Sequence, residues 1–237
     1  MASADAQQHA LQLKCYLSDL PEIDLFAGRP LIAPILMIPN VFAPEFCKHL
    51  VDLYKNNGGI PSGFMQEKDG FTVYAQDNSF KKRSDYTIED SKIKAHMRTA
   101  IQRRIVPEIR KAYHFEVSRI ERYIVACYDA TDGGGFFKAH RDNTTPATMH
   151  RRFACTINLN SDDYEGGELR FPEFSTQTYK PPTGGALIFS CSLLHEATPV
   201  ISGTRYCTLP FFFDEGAEII RQKNLHLLKQ DIAESVS

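Results

Sequence analysis

YDATDGGGFFKAHRD, residues 128–142, places a histidine and an aspartate two positions apart, His140 and Asp142. Side chains at i and i+2 of an extended strand point to the same face. One imidazole nitrogen and one carboxylate oxygen can therefore reach a single metal ion from one short strand. The third ligand must come from elsewhere, and SLLHEATPVISGTRY, residues 192–206, offers His195. Two histidines and one carboxylate on one face of an octahedral ion, with other positions open, suit non-haem Fe(II) and oxygen chemistry.

H-x-D alone is a common accident of sequence. The order of the two segments is far more specific. It reads H-x-D, a gap of tens of residues, then H-x-x-x-P-V-x-x-G-x-[KR]-[YW], filled by His140, Asp142, His195, Pro199, Val200, Gly203, Arg205 and Tyr206. Two flanking stretches belong with it, NLNSDDYEGGELRFPE and PPTGGALIFSCSLLHE. Together they resemble the Fe(II)/2-oxoglutarate-dependent dioxygenases, in the branch similar to prolyl 4-hydroxylases, over roughly Ile38 to Phe213. The resemblance implies His140, Asp142 and His195 as Fe(II) ligands, 2-oxoglutarate as co-substrate with O2, and ascorbate as an accessory reductant. It implies hydroxylation of a prolyl or other amino-acid residue, or of a free amino acid, coupled to decarboxylation of 2-oxoglutarate to succinate.

Arg205, ten residues past His195, matches the family's basic residue for the distal carboxylate of 2-oxoglutarate. A guanidinium suits that role, as an always-charged fork matched to a carboxylate. Strand alternation turns Tyr206 away from it. Tyr128 resembles a family tyrosine that bonds the same carboxylate, but Gly133, Gly134 and Gly135 lengthen the loop before His140, and a flexible loop is expected there. In RFACTINLN, Arg152, Ala154, Thr156 and Asn158 alternate with Phe153, Cys155, Ile157 and Leu159. The second set is core; Thr156 and Asn158 are expected to face the cavity and bond the co-substrate, with Arg152 near substrate. The remaining histidines read as surface or satisfied core residues, His150 among them.

The chain has 237 residues, a soft prior for one domain or two, and a net charge of -2 that calls for no polyanion partner. Its six cysteines form no C-x-x-C pair and read as free thiols of a reduced, cytoplasmic protein. Neither a signal peptide nor a membrane span is apparent. The competing classes are a binding module with a structural metal, a cupin-like enzyme that does not use 2-oxoglutarate, a nucleic-acid demethylase of the same superfamily, and a catalytic module dependent on a partner protein. Arg205 argues against the first two and the near-neutral charge against the third.

Residues 1–30 read as an N-terminal extension with a short helix near Gln7 to Leu17, and residues 31–237 as a single domain. A buried strand at Ile35 to Ile38 precedes a helix from Pro44 to the stop at Gly58 and Gly59. SGFMQEKDGFT reads as a mobile loop, FTVYAQ as a strand, and Arg83 and Asp85 as facing either the substrate or, by preference, water. Ile93, Met97, Ile101, Ile105 and Ile109 stripe a helix over Glu89 to Ala112, which Pro107 kinks or splits. Short strands with turn signals then follow, SRIERYIVACYD first. With the resemblance they imply an α+β, mainly β fold. Its core is a double-stranded β-helix, or jelly roll, over about 118–214, supported by helices over about 43–112. A C-terminal helix spans Glu215 to Ser235.

Overall fold

The computed structural model describes residues 4–18 and 31–229. The chain divides into two units, Met1–Ile32 and Ala33–Ser237. The first contains helix α1 (Ala4–Ser18).

In the second unit, β1 (Leu36–Ile38) leads into α2 (Pro44–Asn57), which Pro44 opens and Gly58, at φ 72°, closes. The strands β2 (Ile60–Pro61), β3 (Phe64–Lys68), β4 (Phe71–Ala75), β5 (Lys81–Lys82) and β6 (Ser84–Thr87) come next. The supposed mobile loop is thus largely a hairpin, β3 against β4. Its turn residues Asp69 and Gly70 both have positive φ, the conformation that tight hairpin turns require and that Asp-Gly supplies.

Helices α3 (Ser91–Arg104) and α4 (Val106–Tyr113) replace the single expected helix. Pro107 at the start of α4 lacks an N–H to continue the preceding turn, so the split is the one its ring demands. Asp90 caps α3 by accepting from the backbone of Lys92 and Ile93 at 2.7 and 3.0 Å. Met97, Ile101, Ile105 and Ile109 are fully buried, as the stripe requires.

The chain then becomes strand-rich: β7 (Arg119–Glu121), β8 (Ile124–Asp129), β9 (Phe136–His140), β10 (Phe153–Asn158), β11 (Tyr164–Gly166), β12 (Leu169–Arg170), β13 (Thr178–Tyr179), β14 (Ala186–Ser190), β15 (His195–Ala197), β16 (Val200–Thr208) and β17 (Phe211–Phe213). Helix α5 (Glu215–Asn224) and β18 (Leu228–Lys229) follow. The C-terminal helix therefore ends at Asn224, and the part of the expectation beyond Lys229 lies outside the described residues. Among these residues no helix is long and apolar enough to cross a membrane.

A ten-stranded sheet runs in the order β1-β14-β10-β16-β8-β6-β2, with β11, β17 and β7 paired off that path. A five-stranded sheet runs β13-β12-β15-β9-β5, and β18-β4-β3 form a third. Pairing in the first two is antiparallel throughout. Alternation along β8 and β10 divides the interior in two. Val125, Cys127, Phe153, Cys155 and Ile157 pack with the helices. Ile124, Ala126, Tyr128 and Ala154 face a second core that also holds Phe171, Phe189 and Phe211. Every described cysteine is free, and all but Cys15 are buried.

Candidate metal centre and its surroundings

Strands β9 and β15 lie side by side with His140 opposite His195. That register brings together two residues 55 positions apart. Strand β9 ends at His140, so Asp142 sits in the turn beyond it, where its N–H donates to the Cys191 carbonyl at 3.0 Å. The strand geometry expected for H-x-D thus gives way to a turn that still aims both side chains inward. Asp142 Oδ1 lies 3.5 Å from His140 Nε2, and Oδ2 lies 3.4 Å from His195 Nε2. One ligand atom from each of the three falls within 4.8 Å of the others.

The outer nitrogens of both rings are committed. His140 Nδ1 donates to the Lys138 carbonyl at 2.7 Å, and His195 Nδ1 to the Leu193 carbonyl at 3.0 Å. Each ring therefore carries its proton on Nδ1 and turns a bare Nε2 toward Asp142, the tautomer a metal ligand needs. Burial, and then the neighbouring His140, push His195 down to about 4, so its ring is neutral at neutral pH. Burial opposes the charge on Asp142, but the neighbouring His195 and His140 hold its carboxyl well below the usual range. Two imidazole nitrogens and one carboxylate fit a divalent cation. Phe137 stacks on His140 with ring centroids 3.5 Å apart, and Phe189 lies 4.5 Å from His195, which fixes both rings.

Next to the triad is a narrow cavity lined by Tyr128, Thr156 and Arg205. Arg205 is 2% exposed. It donates from Nη2 to Thr156 Oγ1 at 2.9 Å and to Asn158 Oδ1 at 3.3 Å. Its guanidinium lies 5.0 Å from the centre of the Tyr128 ring. Its Nε is buried with no partner, and no carboxylate pairs with it among the described residues. A buried guanidinium without a counter-ion is costly, and a dicarboxylate reaching in from the metal would supply one. Asn158 also donates to the Tyr164 hydroxyl at 2.9 Å.

The glycine loop is tied down rather than flexible. Gly135 N–H donates to the Asp129 carbonyl, and its own carbonyl accepts from Val200. A Cβ at Gly135 would lie 2.8 Å from the Tyr128 Cα, so the missing side chain lets the loop close against Tyr128.

Three placements differ from expectation. Arg83 does not face water: it is buried, donates to Asp85 Oδ2 at 2.7 Å and to the Tyr128 hydroxyl at 3.2 Å, and lines the narrow cavity. Arg152 turns to the Met149 carbonyl, while its neighbour Arg151 lines the open cleft. Arg122, in the break between β7 and β8, borders both spaces and went unremarked. The signal for these was basic residues flanking short strands, which sequence alone cannot separate from a solvated face. The cleft itself, about 600 Å³, runs from the triad along the β3–β4 hairpin, past Met65, Gln66 and Tyr74. His150 is a buried core residue whose Nε2 lies 3.1 Å from Glu121, but its Nδ1 is buried without a partner, so it is only half satisfied.

The sequence matches the model of the 2OG-Fe(II) oxygenase superfamily over residues 123–213, which contain all of the triad and Arg205. A PKHD-type hydroxylase of Cupriavidus metallidurans is 25% identical over 184 residues, 73% of this chain and 75% of that one. Another, of Synechococcus sp., is 29% identical over 96 residues, 38% of this chain, and the match spans only 42% of that relative's length. Among solved structures, a Pseudomonas putida prolyl-4-hydroxylase superposes with TM-score 0.58 at 16% identity, over 78% of this chain and 94% of that one. A Trichoplax adhaerens prolyl hydroxylase, in complex with a hypoxia inducible factor oxygen degradation domain peptide fragment, gives 0.57 at 16% identity, over 89% and 95%. Residues 123–213 thus resemble the 2OG-Fe(II) oxygenase superfamily, and the solved prolyl hydroxylases share the fold. The resemblance implies Fe(II) and 2-oxoglutarate, for which the His140, Asp142 and His195 cluster offers a metal site.

Proposed function

We propose that this protein is an Fe(II)- and 2-oxoglutarate-dependent hydroxylase of an amino-acid residue or a free amino acid. The observation that carries the reading is the buried Arg205, without a carboxylate partner, in a cavity that opens onto His140, Asp142 and His195. A structural metal site or a 2-oxoglutarate-independent cupin-like enzyme has no use for that cation. The two antiparallel sheets, the five-stranded one bearing His140 and His195 and the ten-stranded one bearing Tyr128 and Arg205, are read as the halves of a double-stranded β-helix, in one domain over residues 31–237, and the free thiols suit a reducing cytoplasm.

In this reading His140, Asp142 and His195 hold Fe(II) through Nε2, a carboxylate oxygen and Nε2. Bound together, Fe(II) and 2-oxoglutarate supply O2 activation coupled to release of succinate and CO2. The chain supplies placement. Arg205 fixes the far carboxylate of 2-oxoglutarate, oriented by Thr156, Asn158 and the ring of Tyr128. Phe137, Phe189 and Phe171 keep water from the histidines. The cleft beside the hairpin takes the primary substrate, and the peptide held by the Trichoplax neighbour makes peptides natural candidates.

The test is succinate formation from 2-oxoglutarate by the purified protein with Fe(II) and ascorbate. His140→Ala or Asp142→Ala should abolish it with the fold intact. Wild-type turnover in either variant would overturn the ligand assignment. Arg205→Ala should raise the KM for 2-oxoglutarate by about 10- to 100-fold, the loss of one charge-assisted pair, with little change in iron affinity. An unchanged KM would place the anchor elsewhere.

A further inference from the structure

We propose that the primary substrate carries a carboxylate and that Arg122 receives it, at the boundary between the open cleft and the metal cluster. This deepens the hydroxylase reading and rests on it for the place of the reacting carbon.

Four residues line both the cleft and the narrow cavity: Arg122, Phe137, His140 and Asp142. Two of them belong to the triad and one is the ring stacked on His140. Arg122 is the only cation of the four. A substrate that enters by the cleft and presents a carbon to the metal must pass its guanidinium, whose side chain is 27% exposed and so within reach.

The backbone aims it there. Arg122 has φ 74°, in the left-handed region that glycine and asparagine fill at little cost. A long side chain held in that conformation points to a role for the side chain.

The charges around it do not balance. Asp85 Oδ2 is its ion-pair partner, at 3.3 Å, and that oxygen already accepts from Arg83 at 2.7 Å and Ser62 Oγ at 2.6 Å. Arg83, with a side chain only 2% exposed, has a buried Nε without a partner. Lys81, also buried, spends its hydrogen bonds on Ser62 Oγ and the Gly63 carbonyl. The nearby carboxylates are otherwise committed: Asp142 to the triad, Glu121 to His150 and Arg151. Arg205 is engaged on the far side by Thr156 and Asn158. Two guanidiniums thus share one carboxylate in a place largely out of water, beside a buried Lys81, and an anion from outside would complete the set. The same imbalance acts on their proton affinities. Burial, then Arg83, lower Arg122 from its ordinary value; burial, then Arg83 and Arg122, push Lys81 down to about 5.

The carboxylate has two sources, the α-carboxylate of a free amino acid or an acidic side chain in a peptide. Binding to the full chain, loaded with Mn(II) and 2-oxoglutarate, is measured by calorimetry in two arms. One compares L-proline with L-prolinamide; the other compares N-acetyl-Pro-Glu-amide with N-acetyl-Pro-Gln-amide. In one arm the acid should bind wild-type protein at least about tenfold more tightly than its neutral counterpart. That preference should vanish in Arg122→Asn, a residue that tolerates positive φ and so keeps the turn, and shrink in Arg122→Lys. No acid preference in either arm, including no binding at all, overturns the proposal, as does a preference that survives Arg122→Asn. Succinate formation without any probe separates this from the underlying reading. Turnover without acid preference sinks the carboxylate alone; acid preference through Arg122 without turnover sinks the oxygenase reading alone.

Discussion

Gly167 stands in the E-G-G-E turn at φ +61°, and a Cβ there would lie 2.8 Å from Val200 Cγ2 and 3.1 Å from Arg205 Cδ. The obstacles are side chains, so the turn can absorb alanine only by moving Val200 and, by a few tenths of an ångström, Arg205. Gly167→Ala should therefore raise the KM for 2-oxoglutarate several-fold and cost about 1–2 kcal/mol of stability. Substrate-free 2-oxoglutarate kinetics, run beside thermal denaturation, check both. A stability loss with an unmoved KM would mean that Arg205 does not lean on this turn. At this scale the triad and Arg205 were legible because residue type and spacing carry the chemistry. Arg83 and Arg122 were not. Arg83 pairs with Asp85 two residues on and also reaches Tyr128, 45 residues away, and Arg122 reaches Asp85 across 37; a charged residue beside a short strand reads as solvated until the fold brings such partners together.

At the scale of elements, apolar periodicity located the helices and most strands, and Pro44, Gly58 and Pro107 act where their backbone chemistry requires. The alternation read in RFACTINLN is the alternation observed, with Phe153, Cys155, Ile157 and Leu159 in one core and Ala154 in the other. Two boundaries escaped. The break at Arg122 depends on a positive φ that arginine does not announce. The β3–β4 hairpin hid behind polar strands, most of whose β3 residues are exposed, although Asp69-Gly70 carried the turn signal. That hairpin walls the cleft, so its order bears on substrate binding. Gly70→Val places a β-branched residue at φ 79°, which should cost on the order of 1–2 kcal/mol locally. Hydrogen exchange over residues 64–75 should quicken while β10 and β16 stay protected. Unchanged exchange in the hairpin would show that it is held by its packing instead of its turn.

Over the whole molecule, two buried carboxylates tie together elements that surround the cleft. Asp85 on β6 binds Arg83 and Arg122 across to the β7–β8 break, and Glu121 on β7 binds His150 and Arg151. Burial opposes both charges, but Arg83 and Arg122 hold Asp85 at about 2, and the hydrogen bond from His150 together with the charge of Arg151 holds Glu121 at about 2. Carboxyls depressed in the folded state contribute stability that is complete above their ordinary values, 3.8 and 4.5, and is lost as pH falls toward 2. His195, lowered to about 4 from 6.5, acts in the same direction over a higher window, because the unfolded chain takes up that proton first. Metal-free protein should therefore begin to lose stability below pH 6.5 and lose it more steeply between 4.5 and 2. Glu121→Gln leaves Arg151 without its anion, so it should cost about 3 kcal/mol at neutral pH and flatten the steep limb. Urea denaturation at a series of pH values reads both effects; a variant curve parallel to wild type would show that Glu121 does not carry the acid limb.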